Sequence, residues 1–211
     1  MTIIASSQVY NQFANEYDNW FEKHPNLYQS ELLAMKQAVP KNKTGIEIGV
    51  GTGRFAEPLN IKFGVEPSES MAQFAKRRGV EIINAIAEDL PIENQSFDFA
   101  TMVTTVCFLN DIPKAFAEVH RILKPEGEYI IGLIDRNSKL GKKYERQKTT
   151  NKFYRNAHFY STAEIKEFLS QAGFQNFTYW QTLISANGNI VEQPQPGYGK
   201  GSFVVIKGIK K

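Results

Sequence analysis

The 211-residue chain can bury a core of its own and falls in the size range of one domain. Its 42% hydrophobic and 22% charged residues are ordinary for a globular protein, and a net charge of +3 argues for neither nucleic acid nor a membrane surface. A single cysteine, Cys107, excludes an internal disulfide framework and fits a reducing compartment. The opening "MTIIASSQVYNQF" lacks a basic, apolar leader, and no apolar run approaches ~18 residues. A cytoplasmic location without a membrane span is expected.

In chain order, residues 8–22 place Phe13, Tyr17, Trp20 and Phe21 on one apolar helical face. Ser30 reads as the cap of a second helix through "ELLAMKQAV", ended by Pro40. "GIEIGV" reads as a buried strand, and "GTGRFAE" as the start of a helix cut short by Pro58. "IKFGVE" is a second strand, and "PSESMAQFAKRRG" a helix with basic residues in its last turn and a stop at Gly79. "VEIINAI" and the β-branched "FDFATMVTTV" are strands, "DIPKAFAEVHRILKPEG" a helix and "EYIIGLID" a fifth strand. This alternation over residues 44–135 predicts βαβ units and a parallel sheet covered on both faces. Residues 136–160 are basic and aromatic with weak periodicity. Ser161 and Glu164 form a capping box on "STAEIKEFLSQAGF", which stops at Gly173. "FQNFTYWQTLI" and "GSFVVIKGI" then suggest an antiparallel pair at one sheet edge.

Gly49, Gly51 and Gly53 follow the first strand in G-x-G-x-G spacing, which lets a backbone turn tightly and approach a ligand. Glu66 ends the second strand, where a carboxylate can accept both hydroxyls of a ribose. That pair of features serves NAD and S-adenosylmethionine equally. The spacing, about 45 residues ahead of the first strand and the terminal strand pair favour S-adenosylmethionine.

"EIGVGTGRF", "GVEPSESM", "AEDLPIENQSFDFA", "EVHRILKPEGEYII" and "AGFQNF" occur in this order. In them the chain resembles the class I S-adenosylmethionine-dependent methyltransferases, in particular the small-molecule type 11 group that includes ubiquinone/menaquinone methyltransferases. The resemblance implies an α/β, Rossmann-like, doubly wound, seven-stranded and mostly parallel sheet, with an antiparallel terminal strand pair and an N-terminal helical lid. It implies one methyltransferase domain over residues 1–211: a helical segment at 1–40, a cofactor-binding core at 41–135, a basic cap at 136–160, and a helix with the terminal strand pair at 161–211. S-adenosylmethionine would be the cofactor and S-adenosylhomocysteine its product.

By the same resemblance Glu47, Gly49, Gly51 and Gly53 surround the methionine part of the cofactor, and Glu66 binds the ribose. Pro67, Ser68 and Met71 lie near the adenine, and Ala87, Glu88 and Asp89 line its edge. Thr104, Thr105 and Val106 face the methionyl chain and the sulfonium. Ile86 stands where relatives often carry an Asp that meets the adenine amino group, so Glu88 or backbone must read it. Tyr10 and Tyr17 fit a segment that in this group lies over the cofactor; the same stripe would also serve as plain core. No metal is expected.

A sulfonium is already activated, so the protein mainly aligns a nucleophile in line with the S–CH3 bond. A base is required only for an acceptor that keeps its proton near neutral pH. Candidate bases are His158, Tyr160, Tyr154 and Asp135, while His120 reads as structural and His24 gives no signal. The cap carries eight Lys/Arg and one Glu between Arg136 and His158, together with Tyr144, Phe153 and Tyr154. That composition fits an anionic or aromatic small-molecule acceptor, or a solvated charged loop. RNA methylation is a rival reading, since basic residues interleaved with aromatics suit a nucleic acid. Against it, "TTVCFL" lacks the (D/N)-P-P-(Y/F) signature of nucleic-acid amino-methyltransferases, and Cys107 lacks the proline expected of a pyrimidine C5 nucleophile. A non-catalytic S-adenosylmethionine-binding regulator is a second rival; an NAD-linked oxidoreductase is least favoured.

Overall fold

In the computed structural model, residues 5–185 and 188–211 are described. The helices are α1 (Ala5–Lys23), α2 (Pro25–Ala38), α3 (Glu69–Arg77), α4 (Ile112–Ile122), α5 (Lys139–Gln147) and α6 (Thr162–Gln171). The strands are β1 (Gly45–Ile48), β2 (Phe63–Val65), β3 (Glu81–Ile83), β4 (Phe97–Val103), β5 (Leu123–Ile134), β6 (Phe174–Thr182), β7 (Gln195–Pro196) and β8 (Phe203–Lys210). They form one sheet in the order β3-β2-β1-β4-β5-β8-β6-β7. β1 to β5 are mutually parallel, and β8 runs antiparallel to both β5 and β6. The Rossmann-like sheet with its antiparallel terminal strands is as expected. The two-residue β7 makes it eight strands rather than seven.

β1 is buried along its whole length, so its alternate residues serve opposite faces. Ile46 and Ile48 join the core under α4 and α6, with Phe116, Tyr129 and Ile165. The other face holds Phe99, Val103 and Ile130 against Phe21, Met35 and Phe55. Glu47 belongs to that second face because it lies between the two isoleucines. The sheet order reverses beside β1, where β2 leaves on one side and β4 on the other, and such a switch opens a crevice at the strand carboxyl ends.

Four local expectations need correction. No helix follows the glycines; residues 51–60 form successive turns, because Gly49, Gly51, Gly53 and Asn60 all take positive φ, which a right-handed helix does not accommodate. α2 begins at Pro25, whose ring pre-sets the helical φ, not at Ser30. The Ser30 hydroxyl instead donates to Asn26 O at 2.6 Å and accepts from Glu192 N at 2.8 Å. α5 forms within the cap despite its weak periodicity, its first turn capped by Ser138, which accepts from Gly141 N at 2.9 Å. β5 starts five residues before Glu128: Phe97 pairs with Leu123 and Phe99 with Glu128, so Lys124–Gly127 form a bulge that accommodates Pro125. The Ser161–Glu164 capping box is present as read.

α1 is held on the second face by charge. Asp18, 6% exposed, accepts two hydrogen bonds from Arg54, Nε at 2.9 Å and Nη2 at 2.7 Å, and one from Arg78 Nη2 at 2.9 Å. Arg78 also donates to Thr52 O at 2.7 Å, so one cluster joins α1, the glycine turn and the end of α3. Burial by itself would raise the Asp18 carboxyl, but the bonds from Arg54 and Arg78 outweigh it and lower the pKa to about 2. The stability it confers is complete above the unfolded carboxyl range and is lost as pH falls through about 2. Asp18→Ala leaves two guanidinium groups without their shared partner. It is expected to cost about 3 kcal/mol, read as a lower midpoint in urea unfolding at neutral pH.

Candidate active site

The glycine turn is built to be narrow. Gly49 N and Val50 N both donate to Val65 O, at 2.8 and 3.0 Å, which closes the turn against β2. A Cβ on Gly49, φ +71°, would stand 2.3 Å from Thr105 Cγ2, and the Thr105 hydroxyl is shared between Gly49 O at 3.1 Å and Val103 O at 3.0 Å. A Cβ on Gly53, φ +83°, would meet the Ala75 backbone at 3.1 Å, so this glycine lets the turn rest on α3. Gly51 opens toward Met71 and Tyr17.

Two acids line the turn. Glu66, 8% exposed, accepts from Gly51 N through Oε2 and from Ser68 N through Oε1, each at 2.9 Å. Burial raises its pKa to about 7 although both N–H groups pull it down. Glu47 is 2% exposed, and its Oε2 has no hydrogen-bond partner among the described residues. Burial, with the charge of Glu66 beside it, raises Glu47 to about 8. A buried carboxylate oxygen without a donor is costly, and an ammonium would satisfy it. The glycine cradle, this orphaned oxygen and Glu66 therefore fit the amino-acid end and the ribose of S-adenosylmethionine.

α1 lies over this turn. Tyr10 and Tyr17 meet edge to face at 5.5 Å, and both touch Phe153 of the cap, at 5.6 and 6.1 Å. Tyr10 also meets Phe108 at 5.5 Å. Lys152 bonds Glu16 at 2.6 Å and stands 3.8 Å over Phe13, so the cap closes against α1. On the other flank Asn11 Oδ1 accepts from Ser68 Oγ at 2.7 Å and from Ser70 N at 3.2 Å. The aromatic stripe divides: Tyr10 and Tyr17 lie at the site, whereas Phe21 is core.

The remaining expected residues fall into two groups. Ser68 caps α3, Met71 is buried with its methyl toward Gly51, and Pro67 is half-buried beside them. Thr104 takes φ +50°, and its hydroxyl meets that of Tyr17. Thr104 and Val106 line a small cavity with Cys107, Leu133, Ile134, Tyr154, Phe159 and Tyr160. Ala87 is buried and Asp89 exposed. Glu88 turns to α4, where Oε1 accepts from Asn110 N at 2.9 Å and Asp111 N at 3.3 Å, which commits that oxygen to the protein.

Asp135 is likewise committed: it accepts from Asn137 N at 2.7 Å, Thr162 N at 2.9 Å and Thr162 Oγ1 at 2.6 Å, which anchors α6 and leaves no free oxygen aimed at the cavity. His158 is exposed, its ring 4.5 Å from Tyr160. The Cys107 thiol is buried, raised by that burial to about 12, and donates to Thr104 O. His120 packs on Phe174 at 5.3 Å. Sequence reasoning missed Asn11, Asp18 and Arg54. For Asp18 a signal existed, since an acid interrupts the apolar stripe of α1 and Arg54 directly follows the last glycine.

An open α/β sheet with this cradle at its order switch defines a nucleoside-cofactor enzyme. A protein family described as a methyltransferase domain matches residues 46–131. The chain is 44% identical over 203 residues to an uncharacterised protein of Methanocaldococcus jannaschii, across 96% of this chain and 98% of that one. A crystal structure from Thermotoga maritima, described as a SAM-dependent methyltransferase and possible histamine N-methyltransferase, shares 48% identity with a TM-score of 0.94, over 98% of this chain and 100% of that one. At 18% identity, phosphoethanolamine N-methyltransferase 2 of Haemonchus contortus in complex with S-adenosyl-L-methionine shares the fold alone, with a TM-score of 0.60 over 85% of this chain and 52% of that one. The chain belongs to the class I S-adenosylmethionine-dependent methyltransferases, and S-adenosylmethionine is its cofactor.

Without ligand, Glu47 and Glu66 keep protons that the unfolded chain loses near the usual glutamate value, so both make stability fall as pH rises toward about 8. Binding a cation requires those protons to leave. S-adenosylmethionine is therefore expected to bind more tightly at about pH 8 than at about pH 6 in isothermal titration. Gly51→Arg, which fills the open side of the turn, is expected to abolish binding at both.

Proposed function

We propose that the protein moves the methyl of S-adenosylmethionine to a small-molecule acceptor by direct in-line attack. The observation that carries this reading is the small, mostly apolar cavity at the ends of β4 and β5, lined by Thr104, Val106, Leu133, Tyr154 and Phe159; Thr104 precedes Thr105, whose hydroxyl bonds the glycine turn at Gly49 O. When bound, the cofactor supplies a methyl on a sulfonium, already an electrophile. The chain's own work is then to hold, orient and exclude water. Glu47 holds the ammonium, Glu66 accepts from the ribose hydroxyls, and Thr104 with Tyr17 borders the reacting end. α1 and the cap close over them as parts of one domain.

The cap's aromatics favour this reading over RNA, because Tyr144 and Tyr154 pack on Cys107, Ala157 and Phe159 and are not presented for base stacking. Among the described residues no helix is long and apolar enough to cross a membrane, and the buried Cys107 thiol suits the reducing cytoplasm. Incubation with S-adenosylmethionine and a filtered metabolite extract is expected to produce S-adenosylhomocysteine by mass spectrometry, whereas total RNA and a protein extract are expected to produce none. Product with RNA or protein alone would overturn the small-molecule reading, and product with none of the three would support a binding protein instead.

A further inference from the structure

Asn11, an exposed residue of α1, commits its amide oxygen to another element. Oδ1 accepts from Ser68 Oγ at 2.7 Å and from Ser70 N at 3.2 Å, both at the start of α3. Ser68 is 0% exposed and bonded on three sides. Its hydroxyl donates to Asn11 and accepts from Met71 N at 3.3 Å, and its backbone N donates to Glu66 Oε1 at 2.9 Å. Glu66 Oε2 accepts from Gly51 N at 2.9 Å. One chain of hydrogen bonds thus runs from α1 through Ser68 to the acid that follows β2.

The two ends of the Asn11–Ser68 bond are not equivalent. Asn11 stands in water and loses little by letting go, whereas the buried Ser68 hydroxyl would be left without an acceptor. The bond therefore matters most to Ser68 and to what Ser68 holds. α1 is fastened elsewhere: it departs from helical geometry at Phe13 (φ −121°, ψ 26°), and the half beyond that break carries Asp18 with Arg54 and Arg78. Each carboxylate oxygen accepts along two lone-pair directions, and a backbone N–H takes one on each Glu66 oxygen. One direction remains on each, as two neighbouring ribose hydroxyls require, and its aim depends on where Ser68 N stands.

We propose that Asn11 is a positioning residue for the ribose: by holding the Ser68 hydroxyl it keeps Ser68 N on Glu66 and so aims the Glu66 carboxylate at the sugar. This rests on the reading above in which Glu66 accepts from the ribose hydroxyls. Asn11 acts through Ser68 and needs no contact with the ligand. What the position demands is an acceptor oxygen. Aspartate supplies one, and leucine, of similar bulk, does not.

The test is isothermal titration with S-adenosylhomocysteine and with a synthetic analogue lacking both ribose hydroxyls. The wild-type protein is expected to prefer S-adenosylhomocysteine. Asn11→Leu is expected to cut that preference on the order of 10-fold, with the affinity for the analogue unchanged within about twofold. Asn11→Asp is expected to keep the wild-type preference. Ser68→Ala is expected to reproduce the loss, and adding Asn11→Leu to it to cost little more, because both substitutions break the same chain. An equal loss for the two ligands would make Asn11 a contact of the fold alone and overturn the proposal. So would an unchanged preference in Asn11→Leu, Asn11→Asp as damaging as Asn11→Leu, or a full second loss in the double variant. Wild-type protein that binds both ligands equally well would instead overturn the assignment of the ribose to Glu66 on which the proposal rests.

Discussion

One buried carboxylate, Asp18, decides where the first helix lies. It receives Arg54 from the turn after the glycines and Arg78 from the end of α3, so three segments distant in sequence share one charge. Asn11 on Ser68 and Ser70 and Glu16 on Lys152 tie the same helix at its other turns, but only the Asp18 cluster is buried and binds it to the glycine turn that Tyr17 stands over. The geometry of Arg54, with two donors on one carboxylate, sets direction as well as attraction. An isolated surface pair would contribute little; this one is sheltered, which is why burial and pairing act against each other so strongly on Asp18.

The interior of the site has a charge opposite to that of its rim. Glu31, Glu47 and Glu66 are buried, all three raised toward neutrality by that burial, while Lys139, Lys142, Lys143, Arg146 and Arg155 of the cap stand in water. A composition reading sees only the sum, because α5 and the loop after it carry both the basic residues and the inward aromatics. Their separation is a property of the helix: Tyr144 sits on the side opposite Lys142, Lys143 and Arg146, so the aromatic face turns in and the cationic one out.

What was legible follows the same logic. Strands β1, β2 and β4, the glycines and Glu66 were readable because local rules fix them: buried β-branched runs, positive φ and a carboxylate at a strand end. The turns after Gly53 were misread as a helix because neither Pro58 nor the glycines reveals how closely Ala75 approaches. Asp135 looked like a base from its position at the end of β5, yet its oxygens are spent on Thr162 and Asn137, partners that only the fold brings near. Glu31 was invisible for a related reason. A glutamate in "SELLAM" reads as a solvated helix position, yet the fold buries it to 5% exposure.

The placement of β8 constrains how the chain is assembled. Residues 203–210 pair with β5 on one side and β6 on the other, over partners such as Ile131–Ile206 and Tyr179–Ile206. During synthesis the five parallel strands therefore wait with β5 unpaired along one side, its apolar Ile130, Ile131 and Leu133 open to any passing strand. Such a bare edge invites association with other chains. The interval in which that edge stays bare is set by how fast residues 135–210 emerge and bring β8 to it, so growth at lower temperature or with abundant chaperones is expected to favour the folded enzyme.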